Sequence, residues 1–211
     1  MDCPQHWPPA LAKIGDCPQH HRNPPSGEPV RLWYVALLSK EEILRAFQEL
    51  ANELRNLHKQ PVELVVVGGA AMVLLYGARG STKDVDAVTL GLRDDSAVEE
   101  AAARVAMSLN LPANWLNDGA KGYLHGIELG EAVFQDSSLL VHSAATHQLL
   151  AMKLCAWRDD VDISDARLLL SKLKGNQQQI WSLVEPFLVP GRELKAQYAF
   201  EDLWEAEHGH S

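Results

Sequence analysis

A predicted strand–glycine–helix–strand unit near the middle of the chain constrains the fold more than any other feature. A continuous apolar run from Val62 to Val67, interrupted only by Glu63, is typical of a buried strand. Gly68-Gly69 follows, then a short helix over 70–76 and an alternating strand over 84–90. Backbone N–H groups at a helix start are unpaired, and glycine lets the backbone approach a ligand closely. The turn is therefore suited to binding a phosphate.

Two carboxylates lie at the start of the second predicted strand. Asp84 and Asp86 are two residues apart, so the strand period puts both on one face and turns Val85 to the other. Such carboxylates repel each other unless a divalent cation lies between them, and Mg²⁺ suits hard oxygen ligands and substrate phosphates. A Gly-Gly turn or a solvated acidic pair alone is common. Their combination predicts a metal-dependent phosphoryl or nucleotidyl transfer site.

The flanking regions predict a small mixed sheet followed by helices. Ser39-x-x-Glu42 has the form of a capping box and opens a helix that Pro61 ends. Later elements are a helix from a cap at 94–96 to Leu109, a loop with a helical turn over 115–124, and short strands over 126–129, 132–134 and 139–141. From Ser143 to about Glu207 the pattern is almost wholly helical. The predicted class is α+β.

Residues 1–30 differ from the rest of the chain. They contain seven prolines and little apolar periodicity, so we expect a disordered leader. The string Asp-Cys-Pro-Gln-His occurs at 2–6 and again at 16–20, and its Cys-x-x-His pairs offer ligands for zinc. Beyond the leader we expect an α/β core over 31–142 and a helical region over 143–211 that completes the wall of the site.

Charge and composition narrow the function classes. With 28 acidic and 19 basic residues the formal net charge is −9, which does not suit coating nucleic acid through bulk electrostatics. Nucleic acid would have to meet a local basic patch or a metal. No apolar run approaches the roughly 20 residues of a membrane helix. Three cysteines form no disulfide framework, so we expect a reducing, cytoplasmic location and no membrane partner.

Two segments carry a family resemblance. Val-Gly-Gly-Ala-Ala at 67–71 and Tyr-Gly-Ala-Arg-Gly-Ser-Thr-Lys-Asp-Val-Asp at 76–86 resemble the signature of the polymerase-beta-type nucleotidyltransferase superfamily. Gly-Gly with a central Arg-x-x-Thr-x-Asp-x-Asp resembles the AbiEii-like toxins of type IV toxin–antitoxin systems, and 111–118 is similar to a Trp-Leu-Asn-Asp element of shorter members. The resemblance covers about residues 60–170. It implies a nucleotidyltransferase fold, Mg²⁺, a nucleoside triphosphate donor, an RNA acceptor such as tRNA, and a small antitoxin partner.

Lys153 is unusual because four apolar residues flank it on each side in a predicted helix. Burying an unpaired ammonium costs several kcal/mol, so this lysine should have a carboxylate or phosphate partner unless it extends to water over the helix surface. The candidate carboxylates are Asp84, Asp86, Asp162 and Asp165.

The resemblance extends to a third acidic group. Leu149–Leu154 followed by Asp162-Ile-Ser-Asp165 resembles the family's lysine motif and downstream Asp-x-x-Asp. This likeness implies that Asp162 or Asp165 joins the catalytic site. Glu128, on a short predicted strand, is the rival for that role.

The loop between the glycines and the aspartates offers further ligands. Arg79 and Lys83 flank it and are natural phosphate clamps, with Ser81 between them, although a solvated turn would also account for these residues. In the toxins that the chain resembles, a hydroxyl at the position of Thr82 can lie against the metal. A β-branched strand residue is the alternative for Thr82.

Four other residues are of types that occur in active sites. Trp115 could stack on a base or belong to the core, whereas His142 and His147 are interpreted as structural and Cys155 as buried packing.

The function favoured by these residues is nucleotidyl transfer from a nucleoside triphosphate to an acceptor hydroxyl, with pyrophosphate leaving. Asp84 and Asp86 would hold magnesium, Gly68 and Gly69 would bind phosphate, and Lys153 would stabilise developing charge. Two alternatives stay open. One is transfer to a small molecule, which the acidic charge favours, and the other is a non-catalytic nucleotide-binding or antitoxin-like interaction module, which the helical tail favours.

Overall fold

The fold is α+β, as predicted, with a five-stranded mixed sheet, a two-stranded sheet and flanking helices. The computed structural model describes residues 37–57, 61–91 and 96–209, so the predicted leader and the helix cap at 94–95 lie outside the described residues. All described residues belong to one compact unit. In chain order the elements are β1 (Leu38–Ser39), α1 (Lys40–Leu57), β2 (Val62–Val66), α2 (Gly68–Ala71), β3 (Ser81–Thr82), β4 (Val85–Leu90), α3 (Ser96–Leu109), β5 (Leu116–Asn117), β6 (Leu129–Gln135), β7 (Leu139–Ala144), α4 (Thr146–Ala156), α5 (Asp160–Lys172), α6 (Gln177–Val184) and α7 (Glu193–His208). The helix predicted over 70–76 is present as the end of α2 and a π-helical segment, Met72–Tyr76, that continues it.

The first helix begins at the predicted capping box. The backbone N–H of Ser39 donates to Glu42 Oε2 at 2.8 Å, and the N–H of Glu42 donates to Ser39 Oγ at 3.2 Å. α1 buries the apolar face that its sequence period predicts, which comprises Ile43, Ala46, Phe47, Leu50, Ala51 and Leu54. The prediction of this helix is confirmed.

β2 is the central strand of the larger sheet, whose order is β5-β4-β2-β7-β6. It pairs antiparallel with β4 and parallel with β7, while β5 is parallel to β4 and β6 antiparallel to β7. Its central place explains an apolar run with no alternation. Val66 pairs with Ala87, and the N–H of Val67 donates to the carbonyl of Asp86 at 2.9 Å. The glycine turn therefore starts beside the second aspartate.

The two edge strands of the larger sheet, β5 and β6, differ from the prediction. β5 lies inside the predicted 115–124 loop, and the sequence does not predict it because two residues are too few to show a strand period. The helical turn that the sequence predicts in this loop is present as a 3-10 helix, Gly119–Tyr123. In place of the strands predicted over 126–129 and 132–134 there is one strand, β6, which begins at Leu129 and leaves residues 126–128 outside it. Its side chains are mostly exposed and its register shifts on both sides of Ala132, which weakens the sequence pattern.

The helical region begins three residues later than predicted. β7 continues to Ala144, across the expected boundary at 142, and α4 begins at Thr146. The division into a core and a helical region stays a prediction. α4 is buried from Gln148 to Ala156 and contacts α2, α5, α6 and α7, so almost every position on it faces other parts of the protein. Among the described helices, none has the length and apolarity that crossing a bilayer requires.

Candidate active site

The glycine turn after β2 lies against Thr82 in β3 and Asp86 in β4. Gly68 has a φ of +58°, and a Cβ there would lie 3.1 Å from Asp86 Oδ2. A Cβ on Gly69 would lie 2.5 Å from Thr82 Oγ1. These close approaches require glycine at both positions and bring the turn, Thr82 and Asp86 together.

The two aspartates lie at the start of β4. Asp84 directly precedes the strand and Asp86 is its second residue. Burial, and next the charge of Asp84, raise the pKa of Asp86 from 3.8 to about 6, although a hydrogen bond from the Ala120 backbone and the charge of Lys153 lower it. A carboxylate whose charge is disfavoured in this way would be stabilised by a bound cation.

The aspartates and the glycine turn line a cleft of about 610 Å³. Ten of the residues that the sequence assigns to the site line it, namely Gly68, Gly69, Arg79, Ser81, Thr82, Lys83, Asp84, Asp86, Lys153 and Asp162. The cleft therefore combines a glycine turn, two carboxylates and several cations, the groups that a metal-bound polyphosphate requires.

Lys153 is the centre of a chain of alternating charges. Its Nζ lies 2.9 Å from Asp162 Oδ1 and 2.7 Å from Asp165 Oδ2. Arg79 pairs with Asp165, and Arg158 Nε lies 2.9 Å from Asp162 Oδ2. We call these five residues the ion-pair chain. It carries three positive charges and two negative charges, so its net charge is positive.

Asp162 is saturated with donors. Its oxygens accept from Lys153 Nζ and from the Nε, Nη2 and backbone N–H of Arg158. Burial alone would raise the pKa of Asp162, but the hydrogen bonds from Arg158 and Lys153 outweigh it and hold the pKa at about 2. Asp162 therefore anchors two cations, and little of its bonding capacity is left for a metal.

Two other predicted acids do not line the cleft. Asp165 is 3% exposed and bonds to Lys153 and Arg79. Glu128 pairs with His147 at 3.2 Å and lies outside the cleft lining. Neither is placed to complete a metal site with the Asp84–Asp86 pair.

A family model described as a nucleotidyltransferase of unknown function, DUF6036, matches residues 42–171. The chain belongs to this family. The matched region contains the glycine turn, both aspartates and the whole ion-pair chain. The assignment supports the nucleotidyltransferase class in general and does not single out the AbiEii-like toxins. Searches of curated proteins and of solved structures gave no significant match.

The cleft of this DUF6036 protein also contains residues that the sequence argument missed. Gly119, Ala120 and Tyr123 reach it from the 3-10 helix, and Arg158 reaches it from the turn between α4 and α5. A signal existed for Arg158, which precedes Asp162 by four residues, the spacing of a helical ion pair. The 3-10 helix follows a two-residue strand and gave no comparable signal.

The other residues considered for the site lie elsewhere. Trp115 is fully buried and its Nε1 donates to the Ala102 carbonyl at 3.0 Å, so it belongs to the core and is not available to stack on a base. His142 pairs with Glu63 at 3.4 Å, outside the cleft. Cys155 is buried, and burial raises the pKa of its thiol.

The metal-binding capacity of the cleft rests on two carboxylates. Over residues 37–57, 61–91 and 96–209, no group of three or more His, Cys, Asp or Glu side chains is arranged to hold a metal ion. Asp84 and Asp86 suit Mg²⁺, which is commonly bound through one or two carboxylates with substrate phosphates completing its shell. Arg79 has a buried Nε with no hydrogen-bond partner among the described residues, so a donor is available for such a phosphate.

Proposed function

We propose that the protein is a metal-dependent nucleotidyltransferase that moves a nucleoside monophosphate from a nucleoside triphosphate to an acceptor hydroxyl. The observation that carries this proposal is the cleft in which Asp84 and Asp86 occur with the glycine turn and Lys153. The acceptor oxygen would form a bond to the α-phosphorus while the bond to the β-phosphate bridging oxygen breaks. Pyrophosphate would leave.

Magnesium fits the oxygen donors at the start of β4. Asp84 and Asp86 would hold it, and it would neutralise charge on the α-phosphate and the leaving group. The raised pKa of Asp86 supports this assignment, because a cation would offset the cost of burying this carboxylate and its repulsion from Asp84. No third carboxylate is required when the phosphates of the substrate complete the shell.

The phosphates of the donor would bind at the glycine turn. Gly68 and Gly69 both line the cleft, and neither has a side chain that would keep a phosphate away from the backbone. Arg79 contributes the unpartnered Nε, and Ser81, Thr82 and Lys83 line the same part of the cleft. Each group is a donor or a cation, as a triphosphate requires.

Lys153 would stabilise the charge that develops during transfer. The contacts of Asp162 and Asp165 favour a positioning role for both acids, because each holds Lys153 and one arginine. An ammonium fixed in this way needs no reorganisation at the moment of reaction, which is the basis of electrostatic catalysis.

The family resemblance and the net charge bear on the identity of the acceptor. The resemblance to AbiEii-like toxins supports a toxin that modifies RNA, with tRNA as the acceptor and a small antitoxin as partner in the cytoplasm. The net charge of −9 supports the competing possibility, a small-molecule acceptor, because an acidic surface repels RNA.

The proposal is tested by incubating the protein with each α-³²P-labelled nucleoside triphosphate, Mg²⁺ and total RNA. We expect label in RNA, loss of transfer with EDTA, and loss of transfer in Asp84→Asn and Asp86→Asn. Asp202→Asn is the matched control because Asp202 is exposed on α7. Full activity of both cleft variants would contradict the assignment of the aspartates. Label in a small molecule instead of RNA would keep the transferase and remove the RNA acceptor.

A further inference from the structure

The contacts inside the cleft define an order of groups along it. Gly69 lies against Thr82, and a Cβ on it would also lie 3.9 Å from Arg79 Cζ. Gly68 lies against Asp86, whose Oδ1 would be 3.5 Å from a Cβ on Gly119. The order therefore runs from the Arg79 end, past Asp86, to the 3-10 helix.

This order gives a direction to a bound nucleotide. If the terminal phosphates bind at Gly69 and Arg79 and the α-phosphate lies at Asp86, the ribose and base extend toward the 3-10 helix, Gly119–Tyr123. The last residue of that helix, Tyr123, is the one aromatic side chain that lines the cleft within the described residues. It is half-buried, so part of its side chain remains accessible.

Arg158 lies beside this ring. Its Cζ is 5.8 Å from the Tyr123 ring centroid, and its Nε and Nη2 both donate to Asp162. The outer edge of the guanidinium, which includes Nη1, is not used in those hydrogen bonds. Although 62% of the side chain is exposed, the contacts with Asp162 fix it in one orientation.

Two other cations, Arg192 and Lys195, have a structural role at the end of α4. Arg192 Nη1 and Lys195 Nζ donate to the Cys155 and Ala156 carbonyls, at 3.1 and 2.6 Å, and so cap the C-terminus of α4. Arg192 also covers the Tyr123 ring, with Cζ 4.5 Å from the centroid. Within the part of the chain that the structure describes, the outer edge of Arg158 makes no such hydrogen bond.

We propose that Tyr123 and Arg158 form the nucleobase subsite of the cleft, with the base stacking on the face of the Tyr123 ring opposite Arg192 and its edge bonding to the outer edge of Arg158. Two parallel N–H donors match a base with two adjacent acceptors, as in guanine (O6 and N7) and cytosine (O2 and N3). Adenine pairs an acceptor with a donor on its major-groove edge and does not match. The subsite therefore selects guanine or cytosine nucleotides over adenine nucleotides. This inference rests on the proposed function.

Binding measurements test the subsite without requiring turnover. Isothermal titration calorimetry with Mg²⁺ would compare α,β-methylene analogues of GTP, CTP and ATP with inorganic tripolyphosphate, which has no base. We expect Tyr123→Leu to weaken nucleotide binding about 10-fold, equivalent to about 1.4 kcal/mol, and to leave tripolyphosphate binding unchanged. Tyr123→Phe keeps the ring and should bind nucleotides within about three-fold of wild type, because stacking uses the π face.

Arg158→Gln tests the choice of base. Glutamine matches adenine in a bidentate pair, so the ratio of GTP to ATP affinity should fall about 10-fold or more. Damage to Asp162 alone would lower both affinities equally and leave the ratio unchanged, which is why the ratio is measured. Arg45→Gln removes an exposed cation on α1, outside the cleft, and should change neither affinity.

The outcomes separate the subsite from the proposed function. A wild-type protein that binds none of the nucleotides would refute the proposed function itself. If wild type binds nucleotides but Tyr123→Leu binds them equally well, the subsite is wrong while the function stands. An equal loss of tripolyphosphate binding in Tyr123→Leu, or an unchanged GTP to ATP ratio in Arg158→Gln, would also overturn the subsite. So would a Tyr123→Leu variant that loses only the binding of a single-stranded oligoribonucleotide, since Tyr123 would then serve the acceptor.

Discussion

Replacement of Asp86 by asparagine should stabilise the metal-free protein while it abolishes transfer. The pKa of Asp86 is raised to about 6 by burial and by Asp84, so above pH 6 the folded protein holds a carboxylate in an unfavourable place. A pKa raised from 3.8 to about 6 corresponds to at most about 3 kcal/mol at pH 7. Partial exposure reduces this figure, and we expect a gain of roughly 1 kcal/mol in Asp86→Asn.

The pH dependence identifies the cause. Between pH 3.8 and about 6 the folded state holds a proton that the unfolded state has lost, so wild-type stability falls as pH rises through this window. Asp86→Asn has no titrating group at this position, so its free energy of unfolding should exceed that of wild type by an amount that grows from pH 4 to pH 7. Asparagine can still accept the Ala120 N–H through its side-chain carbonyl, so no hydrogen bond need be lost.

Urea unfolding in EDTA at pH 4, 5.5 and 7.5 measures this difference. At pH 7.5 the midpoint of Asp86→Asn should exceed that of wild type by about 0.5 M, given a slope of about 2 kcal/mol/M. Asp202→Asn should match wild type at every pH. Addition of Mg²⁺ should raise the wild-type midpoint more than that of Asp86→Asn. A variant that is less stable than wild type at pH 7.5, or a difference that does not change with pH, would refute the reasoning.

Three further variants probe the rest of the cleft. Lys153→Met should reduce transfer about 100-fold and lower the free energy of unfolding by about 2 kcal/mol, which is less than for a fully unpaired buried charge because Asp162 and Asp165 each keep an arginine partner. Lys174→Met, which removes an exposed lysine, should change transfer and stability little. Equal stability of the two variants would count against a buried ion pair at Lys153. Gly69→Ala should lower the melting temperature and the affinity for nucleotide together, because its Cβ would lie 2.5 Å from Thr82 Oγ1; wild-type values in calorimetry would contradict this. The pKa of Asp162 is held at about 2, below 3.8, so its contribution to stability is present above pH 4 and lost toward pH 2; Asp162→Asn should show a weaker acid dependence in urea melts, and an unchanged profile would be inconsistent with the ion pair.

Local periodicity made the central unit of the fold predictable. The apolar run of β2, the capping box of α1 and the alternation of β4 are patterns within a few residues. The structure has β2 and β4 within one residue of their predicted bounds, and α1 begins at its predicted cap, although it ends at Leu57 rather than directly before Pro61. The pairing of Asp84 and Asp86 on one face follows from the same period. β2 leads into Gly68 and Gly69, and β4 carries Asp86 directly after Asp84.

The partners of Lys153 and the position of Tyr123 depend on long-range contacts, which local sequence patterns do not predict. The flanking residues of Lys153 indicated that it needs a partner, but four carboxylates were candidates, and only the packing of α4 against α5 selects Asp162 and Asp165. Tyr123 reaches the cleft because a two-residue strand, β5, pairs with β4 and positions the helix that follows. No period exists in two residues, so that part of the site could not be read from the sequence.

The most direct test of nucleotidyl transfer compares the fate of the α- and γ-phosphates of one nucleoside triphosphate. The protein would be incubated with Mg²⁺ and total RNA, using the same nucleotide labelled with ³²P at either position. We expect the α label to enter the acceptor while, among the products, the γ label appears only in pyrophosphate, and we expect both effects to be lost in Asp84→Asn. Transfer of the γ label to any acceptor, or release of the γ label as orthophosphate without α transfer, would rule out nucleotidyl transfer.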